Sequence, residues 1–125
     1  MRIYGKTIEE LFQNAAEAMI EILSQSVNRR AQIAKKERIE IQSVDLNSLL
    51  VDFLSEILAR SQINKSVYQV SSVRCQALEK GAKLEAEIIG HPVEKFDEDI
   101  KAVTYEDLDI KQIDNAWQTD LVLDI

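Results

Sequence analysis

The stretch TIEELFQNAAEAMIEIL, from Thr7 to Leu23, decides how the first part of this chain folds. Thr7 is followed three residues later by Glu10, the capping-box pattern in which each side chain bonds a backbone N–H left free at a helix start. We therefore predict a helix that begins after Thr7, with one apolar stripe facing the core. The residues of this stripe are Ile8, Leu11, Phe12, Ala15, Met19, Ile22 and Leu23.

A second, more apolar helix is predicted after Asp45. This residue is a typical N-cap, and Val44 before it is placed to pack on Leu49 as a hydrophobic staple. The apolar stripe that follows is broad, which indicates a helix in the centre of the core. Its residues are Leu46, Leu49, Leu50, Phe53, Leu54, Ile57 and Leu58.

Alternating apolar and polar residues predict strands around and after the second helix. Ile39 and Ile41 flank Glu40, residues 83–88 alternate in the same way, and we expect a long strand-like run from Ile100 to Ile110. Since helices and strands do not alternate regularly, the fold class is α+β. We expect two helices packed on a largely antiparallel or mixed β-sheet. A chain of 125 residues forms a single domain with one core.

The chain ends in a predicted hairpin whose second strand carries Leu121-Val122-Leu123-Asp124-Ile125. Asp114-Asn115 is typical of the turn before it. Alternation directs Leu121 and Leu123 to the core and Asp124 to the opposite face. The Asp124 side chain and the terminal carboxylate of Ile125 then form half of a divalent-cation site, although a frayed strand end has the same appearance.

A formal net charge of -7, from 22 acidic and 15 basic residues, disfavours a protein whose main affinity is for nucleic acid phosphates. No membrane is expected as a partner, because no segment is long and apolar enough to span one. One local exception to the acidic charge is a basic cluster that either faces RNA or an acidic partner, or is a solvated connection. Its residues are Arg29, Arg30, Lys35, Lys36 and Arg38.

Catalytic constellations are absent from the sequence, so we do not expect an enzyme. The single histidine, His91, lies in Gly90-His91-Pro92, which predicts an exposed loop. Cys75 is the single cysteine, so it forms no internal disulfide. As a nucleophile it would depend on His91 alone for activation. With no signal-peptide pattern at Met1, a cytoplasmic location is expected. The acidic residues Glu94, Asp97, Glu98 and Asp99 lack the spacing of an EF-hand and predict a solvated turn.

Four segments in order resemble the archease family. They are residues 4–19 (YGKTIEELFQNAAEAM), residues 45–56 (DLNSLLVDFLSE), residues 101–105 (KAVTY) and the terminal Leu123-Asp124-Ile125. The resemblance covers nearly the whole chain and is weakest at residues 24–36 and 62–80. Each segment alone could occur in unrelated proteins, but all four in the order found in the family are much harder to explain by chance.

The resemblance implies an accessory protein of the tRNA-splicing and RNA-repair ligase, which joins 3′-phosphate or 2′,3′-cyclic-phosphate ends to 5′-hydroxyl ends. Archeases promote guanylylation of that ligase's active-site histidine and support its multiple turnover. The alternative implied is a chaperone-like modulator of other RNA- or DNA-processing enzymes, such as a tRNA methyltransferase.

The resemblance also implies a calcium or magnesium site. In the family it joins an Asp of an N-terminal His-x-Ala-Asp-like segment to an Asp near the C-terminus and to the last residue. The latter two correspond to Asp124 and Ile125. The first has no counterpart, so either the start at Met1 is assigned too late or this member lacks the full site, which then binds cations weakly. Glu106 stands where the family often has His.

Overall fold

The structure, a computed structural model, describes residues 1–24 and 34–125. Within them it contains two helices and eight strands, and every strand pair is antiparallel. The helices are α1 (Ile8–Leu23) and α2 (Leu46–Asn64). The strands are β1 (Arg2–Gly5), β2 (Lys35–Ser43), β3 (Ser66–Ala77), β4 (Ala82–Pro92), β5 (Ala102–Val103), β6 (Lys111–Ile113), β7 (Ala116–Asp120) and β8 (Leu123–Asp124).

Both helices start at the predicted caps. The Thr7 hydroxyl accepts a hydrogen bond from the Glu10 N–H at 3.0 Å, and the Asp45 carboxylate accepts one from the Ser48 N–H at 2.7 Å. The predicted staple is wrong, because Val44 is 80% exposed. Helix α2 ends at Lys65, whose left-handed backbone (φ 49°) stops the helix and starts β3 one residue later.

Strand β4 organises the largest sheet, whose order is β2-β4-β3. It pairs with β3 along its whole length, apart from a bulge in β3 between Val70 and Ser72, and with β2 from Ala82 to Gly90. Its inward side chains, such as Leu84 and Ile88, are fully buried, while its outward neighbours Glu85 and Glu87 are partly exposed. One face of the sheet therefore belongs to the core and the other is polar.

The two helices cover the apolar face of this sheet and meet each other at an aromatic contact. The Phe12 and Phe53 rings stack with centroids 6.2 Å apart, and both residues are fully buried. A second sheet, β1-β7-β6, and the short pair β5-β8 complete the molecule. The predicted α+β class, with two helices on antiparallel sheet in a single domain, is confirmed.

The prediction of a long strand over residues 100–110 is wrong. Only Ala102 and Val103 form a strand there, and a turn follows in which the Leu108 N–H donates to the Tyr105 carbonyl at 3.1 Å. Asp107 has φ 58°, in the left-handed region, so an extended strand cannot pass through it. An alternating apolar pattern in residues 100–110 is therefore not sufficient to form a strand where no partner strand runs beside it.

The prediction of an exposed loop at Gly90-His91-Pro92 is also wrong. Strand β4 continues to Pro92, with His91 opposite Val67 and Gly90 opposite Tyr68. His91 is buried. Here the strand includes Gly90 because the Tyr68 ring occupies the space where a side chain would lie.

The structure describes only part of the predicted basic cluster. Arg29 and Arg30 lie outside the described residues. Lys36 and Arg38 lie on the polar face of β2, where they form exposed ion pairs with Glu87 (3.5 Å) and Glu40 (3.2 Å). In residues 1–24 and 34–125, no helix is long and apolar enough to cross a membrane.

Candidate functional site

The last strand changes partner just before the candidate site. Strand β7 ends at Asp120, and after Leu121 and Val122 the chain resumes as β8, which pairs with β5 and not with β1. Leu121 is buried, and its N–H donates to the Met1 carbonyl at 2.7 Å. The expected single strand is thus interrupted, but Leu121 faces the core as predicted.

Asp124 is held by its main chain and exposed through its side chain. It lies opposite Ala102, and its carbonyl accepts the Lys101 N–H at 2.7 Å. No other side chain in the described residues bonds its carboxylate. The prediction that Asp124 faces away from the core is confirmed, and a carboxylate presented in this way is free to bind a cation or a partner.

The two predicted metal ligands, Asp124 and Ile125, are adjacent in the chain. Ile125 is 55% exposed beside Asp124. In the two described ranges, no group of three His, Cys, Asp or Glu residues could hold a metal ion. The predicted pair, Asp124 and Ile125, would fill only part of the six to eight oxygen positions that calcium usually takes.

Strand β1 pairs with β7, and Met1 before it bonds Leu121 in the segment that precedes β8. It runs antiparallel to β7, with Arg2 opposite Asp120, so its N-terminal end points towards the segment that leads into β8. The Arg2 Nε and Asp120 Oδ1 atoms are 3.1 Å apart, and this bond holds the pKa of Asp120 below its usual value. The N-terminal end of β1 is thus tied to the segment that leads into β8, and not to β8 itself.

Thr104 is a residue of this site that the sequence did not identify. Its hydroxyl donates to the Val122 carbonyl at 2.9 Å, and its N–H donates to the same oxygen at 3.2 Å. The hydroxyl also accepts the Glu106 N–H at 3.3 Å. The KAVTY segment contains Thr104, but only the fold reveals a partner 18 residues away. Glu106 lies exposed in the turn.

Cys75 and His91 do not form a catalytic pair. Cys75 lies opposite Leu84 on β4, so His91 is seven residues further along that strand, roughly 23 Å at the usual rise. Burial raises the pKa of the Cys75 thiol to about 12, with a further contribution from Glu9. The thiol is therefore protonated at neutral pH and is a poor nucleophile.

The acidic residues from Glu94 to Asp99 lie in the chain between β4 and β5. All four carboxylate residues are exposed. Asp97, Glu98 and Asp99 line a cleft of about 300 Å³ beside Leu23 and Gln62. The Asp97 N–H donates to the Leu23 carbonyl at 2.7 Å, so this turn fastens to the end of α1.

Comparison with known proteins matches the whole chain to one family. The model of the Archease protein family matches residues 1–125. Protein archease of Pyrococcus abyssi is 36% identical over 132 residues, covering 100% of this chain and 90% of the relative. Protein archease of Methanosarcina mazei is 35% identical, covering 98% of this chain and 86% of the relative.

Solved structures share the fold. The solution structure of protein 1598 from Methanobacterium thermoautotrophicum superposes with a TM-score of 0.80 at 28% identity, covering 99% of this chain and 89% of that one. A crystal structure from Thermotoga maritima, described as an archease and possible chaperone, gives a TM-score of 0.69 at 17% identity, covering 100% and 88%. The full-length family match and the identity to curated relatives show that this chain belongs to the archease family.

Proposed function

We propose that this protein is an accessory factor of the RNA ligase that joins 3′-phosphate or 2′,3′-cyclic-phosphate ends to 5′-hydroxyl ends. It promotes guanylylation of the ligase's active-site histidine and so supports multiple turnover. Membership of the archease family is the observation that carries this proposal. The exposed Asp124 carboxylate on a main chain held by Lys101 supports it, because such a group is available to a partner.

Asp124 and the terminal carboxylate of Ile125 are the proposed ligands of a divalent cation, calcium or magnesium. Oxygen donors of this kind suit either ion. When bound, the cation would supply positive charge beside phosphate groups. Two carboxylates alone bind a cation weakly. Any residue encoded before Met1 would enter near the segment that leads into β8, because Met1 bonds Leu121 there.

The experiment is multiple-turnover ligation by the partner ligase with this protein added. We expect stimulation by the native sequence and a loss of about tenfold or more in Asp124→Ala, the effect typical of disturbing a metal site. Asp99→Ala is the matched control, because it removes the same charge from an exposed residue of the 94–99 turn. Full stimulation by Asp124→Ala would show that this carboxylate has no role.

A version of the protein extended upstream tests whether residues before Met1 contribute a third cation ligand. If a His-x-Ala-Asp-like segment is encoded before Met1, the extended protein should bind calcium more tightly in calorimetric titration and stimulate ligation more strongly. Tight binding by residues 1–125 alone, abolished by Asp124→Ala, would contradict an incomplete site.

A second candidate function is chaperone-like modulation of other RNA-processing enzymes. The description of the Thermotoga maritima protein as a possible chaperone favours it. Affinity capture distinguishes the two functions, because the first predicts recovery of a ligase and the second predicts a methyltransferase or a mixed set of clients.

A further inference from the structure

The strand that carries Asp124 is too short to hold itself in place. The ladder between β5 and β8 has two residue pairs, Ala102 with Asp124 and Val103 with Leu123. Isolated strand pairs are marginal even when they are longer, and terminal residues fray unless they are tied down. The direction of the Asp124 side chain therefore depends on bonds outside the ladder.

Thr104 supplies three of these bonds through one residue. Its N–H and its hydroxyl both donate to the Val122 carbonyl, at 3.2 Å and 2.9 Å, so both lone pairs of that oxygen are engaged. The hydroxyl then accepts the Glu106 N–H at 3.3 Å. One side chain thus joins the chain just before β8 to the turn that follows β5.

The register places Thr104 directly after the residues that pair with β8. Asp124 lies opposite Ala102, and β5 ends at Val103, which lies opposite Leu123. Thr104 follows directly and bonds the Val122 carbonyl, two residues before Asp124 along the chain. Because these bonds hold the main chain at Val122, they limit how far Asp124 and Ile125 can move.

We infer that Thr104 is a positioning residue, which holds the Asp124-Ile125 end in the direction its partner needs. This inference rests on the proposed role of that end in ligase activation. The physical reason is preorganisation: a carboxylate already held in place loses less conformational freedom on binding a cation or a protein surface.

Hydrogen exchange tests the positioning role without the ligase. Thr104→Val keeps the shape and loses the hydroxyl, Thr104→Ser keeps the hydroxyl, and the Lys101 N–H reports on Asp124 because it donates to the Asp124 carbonyl. We expect about fivefold faster exchange at Lys101 in Thr104→Val, the factor for one net hydrogen bond. Thr104→Ser should restore the native rate. Unchanged exchange at Lys101 in Thr104→Val would overturn the inference.

Thr119→Val is the matched control. Its hydroxyl also joins two main-chain groups, accepting the Asp109 N–H at 3.1 Å and donating to the Asp120 carbonyl at 3.3 Å, but it lies on β7. We expect the Lys101 rate in Thr119→Val to stay native. A rise equal to that in Thr104→Val would mean that any lost threonine bond loosens this region, which would overturn a specific role.

A double-mutant cycle then links Thr104 to Asp124. Ligase stimulation is measured for Thr104→Val, Asp124→Ala and the double variant. If Thr104 acts through Asp124, its substitution should lower stimulation in the native background and have no effect in Asp124→Ala. Equal effects in both backgrounds would overturn the link. If the native protein stimulates no ligase, the proposed function fails, while the exchange result still decides the positioning role.

Discussion

Cys75 is a half-buried thiol whose titration should be visible in both reactivity and stability. Its pKa is raised to about 12, first by burial and then by the nearby Glu9 carboxylate. A cysteine thiol in the unfolded chain has a pKa of about 8.5. At pH 9 we therefore expect a thiol reagent to react much more slowly with the native protein than with the denatured protein. Equal rates would contradict the buried, protonated thiol.

The same shift makes stability depend on pH. Between about pH 9 and pH 12 the unfolded chain releases the Cys75 proton while the folded protein keeps it. The free energy of unfolding should therefore fall as pH rises through this window, and Cys75→Ala should remove that part of the fall. Denaturant titrations of both proteins across the window measure it.

Side-chain direction was predictable where it depends on local alternation and was not where it depends on distant partners. Asp124 points outward and Leu121 inward, as the alternation in the sequence predicts, although the strand is interrupted between them. Thr104 could not be found, because its role depends on Val122, which only the fold brings near. The metal role of Asp124 and Ile125 stays a prediction.

At the level of elements, Gly90 and Tyr68 show how two strands depend on each other. A Cβ at Gly90 would lie 2.7 Å from the Tyr68 Cε1 atom. The ring cannot move away freely, because its hydroxyl donates to Glu37 at 2.6 Å and accepts from Asn64 at 2.8 Å. We expect Gly90→Ala to lower the free energy of unfolding by about 1–3 kcal/mol, the usual cost of overpacking.

Tyr68→Phe provides the companion measurement. It keeps the ring but removes its bonds to Glu37 and Asn64, so the ring can shift. Gly90→Ala should therefore cost less in the Tyr68→Phe background than in the native protein, as measured by denaturant unfolding. The same cost in both backgrounds would mean that the hydroxyl does not hold the ring.

Elements with local start signals were predicted, and elements defined by pairing were not. The helix starts were predictable because their N-caps, Thr7 and Asp45, bond residues only three positions further along the chain. The start of β3 was missed, since it follows α2 with only Lys65 between them and that residue ends the helix by its backbone conformation. The reduction of residues 100–110 to a two-residue strand depends on the absence of a longer partner.

The whole molecule carries a net charge of -7 and a sequence pI of about 4.7. An acidic protein is attracted to a basic surface, such as an RNA-binding face of the proposed partner ligase, and this attraction speeds encounter more than it tightens the complex. We expect the association rate with the ligase to fall by about tenfold or more as salt rises from about 0.05 M to about 0.5 M. Stopped-flow measurement should show a nearly constant dissociation rate. An association rate independent of salt would contradict electrostatic attraction.

The pairing of β1 with β7 sets an order of events during protein synthesis. Ile3 pairs with Thr119, so the two strands are made 116 residues apart. At about 5–20 residues per second, β1 leaves the ribosome roughly 6–23 s before its partner exists. In the folded protein the Asn14 side chain of α1 donates to the Tyr4 carbonyl at 2.7 Å, and this contact needs no residue of β7. The edge of β1 that pairs with β7 stays open in that interval, and a nascent chain that stalls before residue 116 exposes it to aggregation.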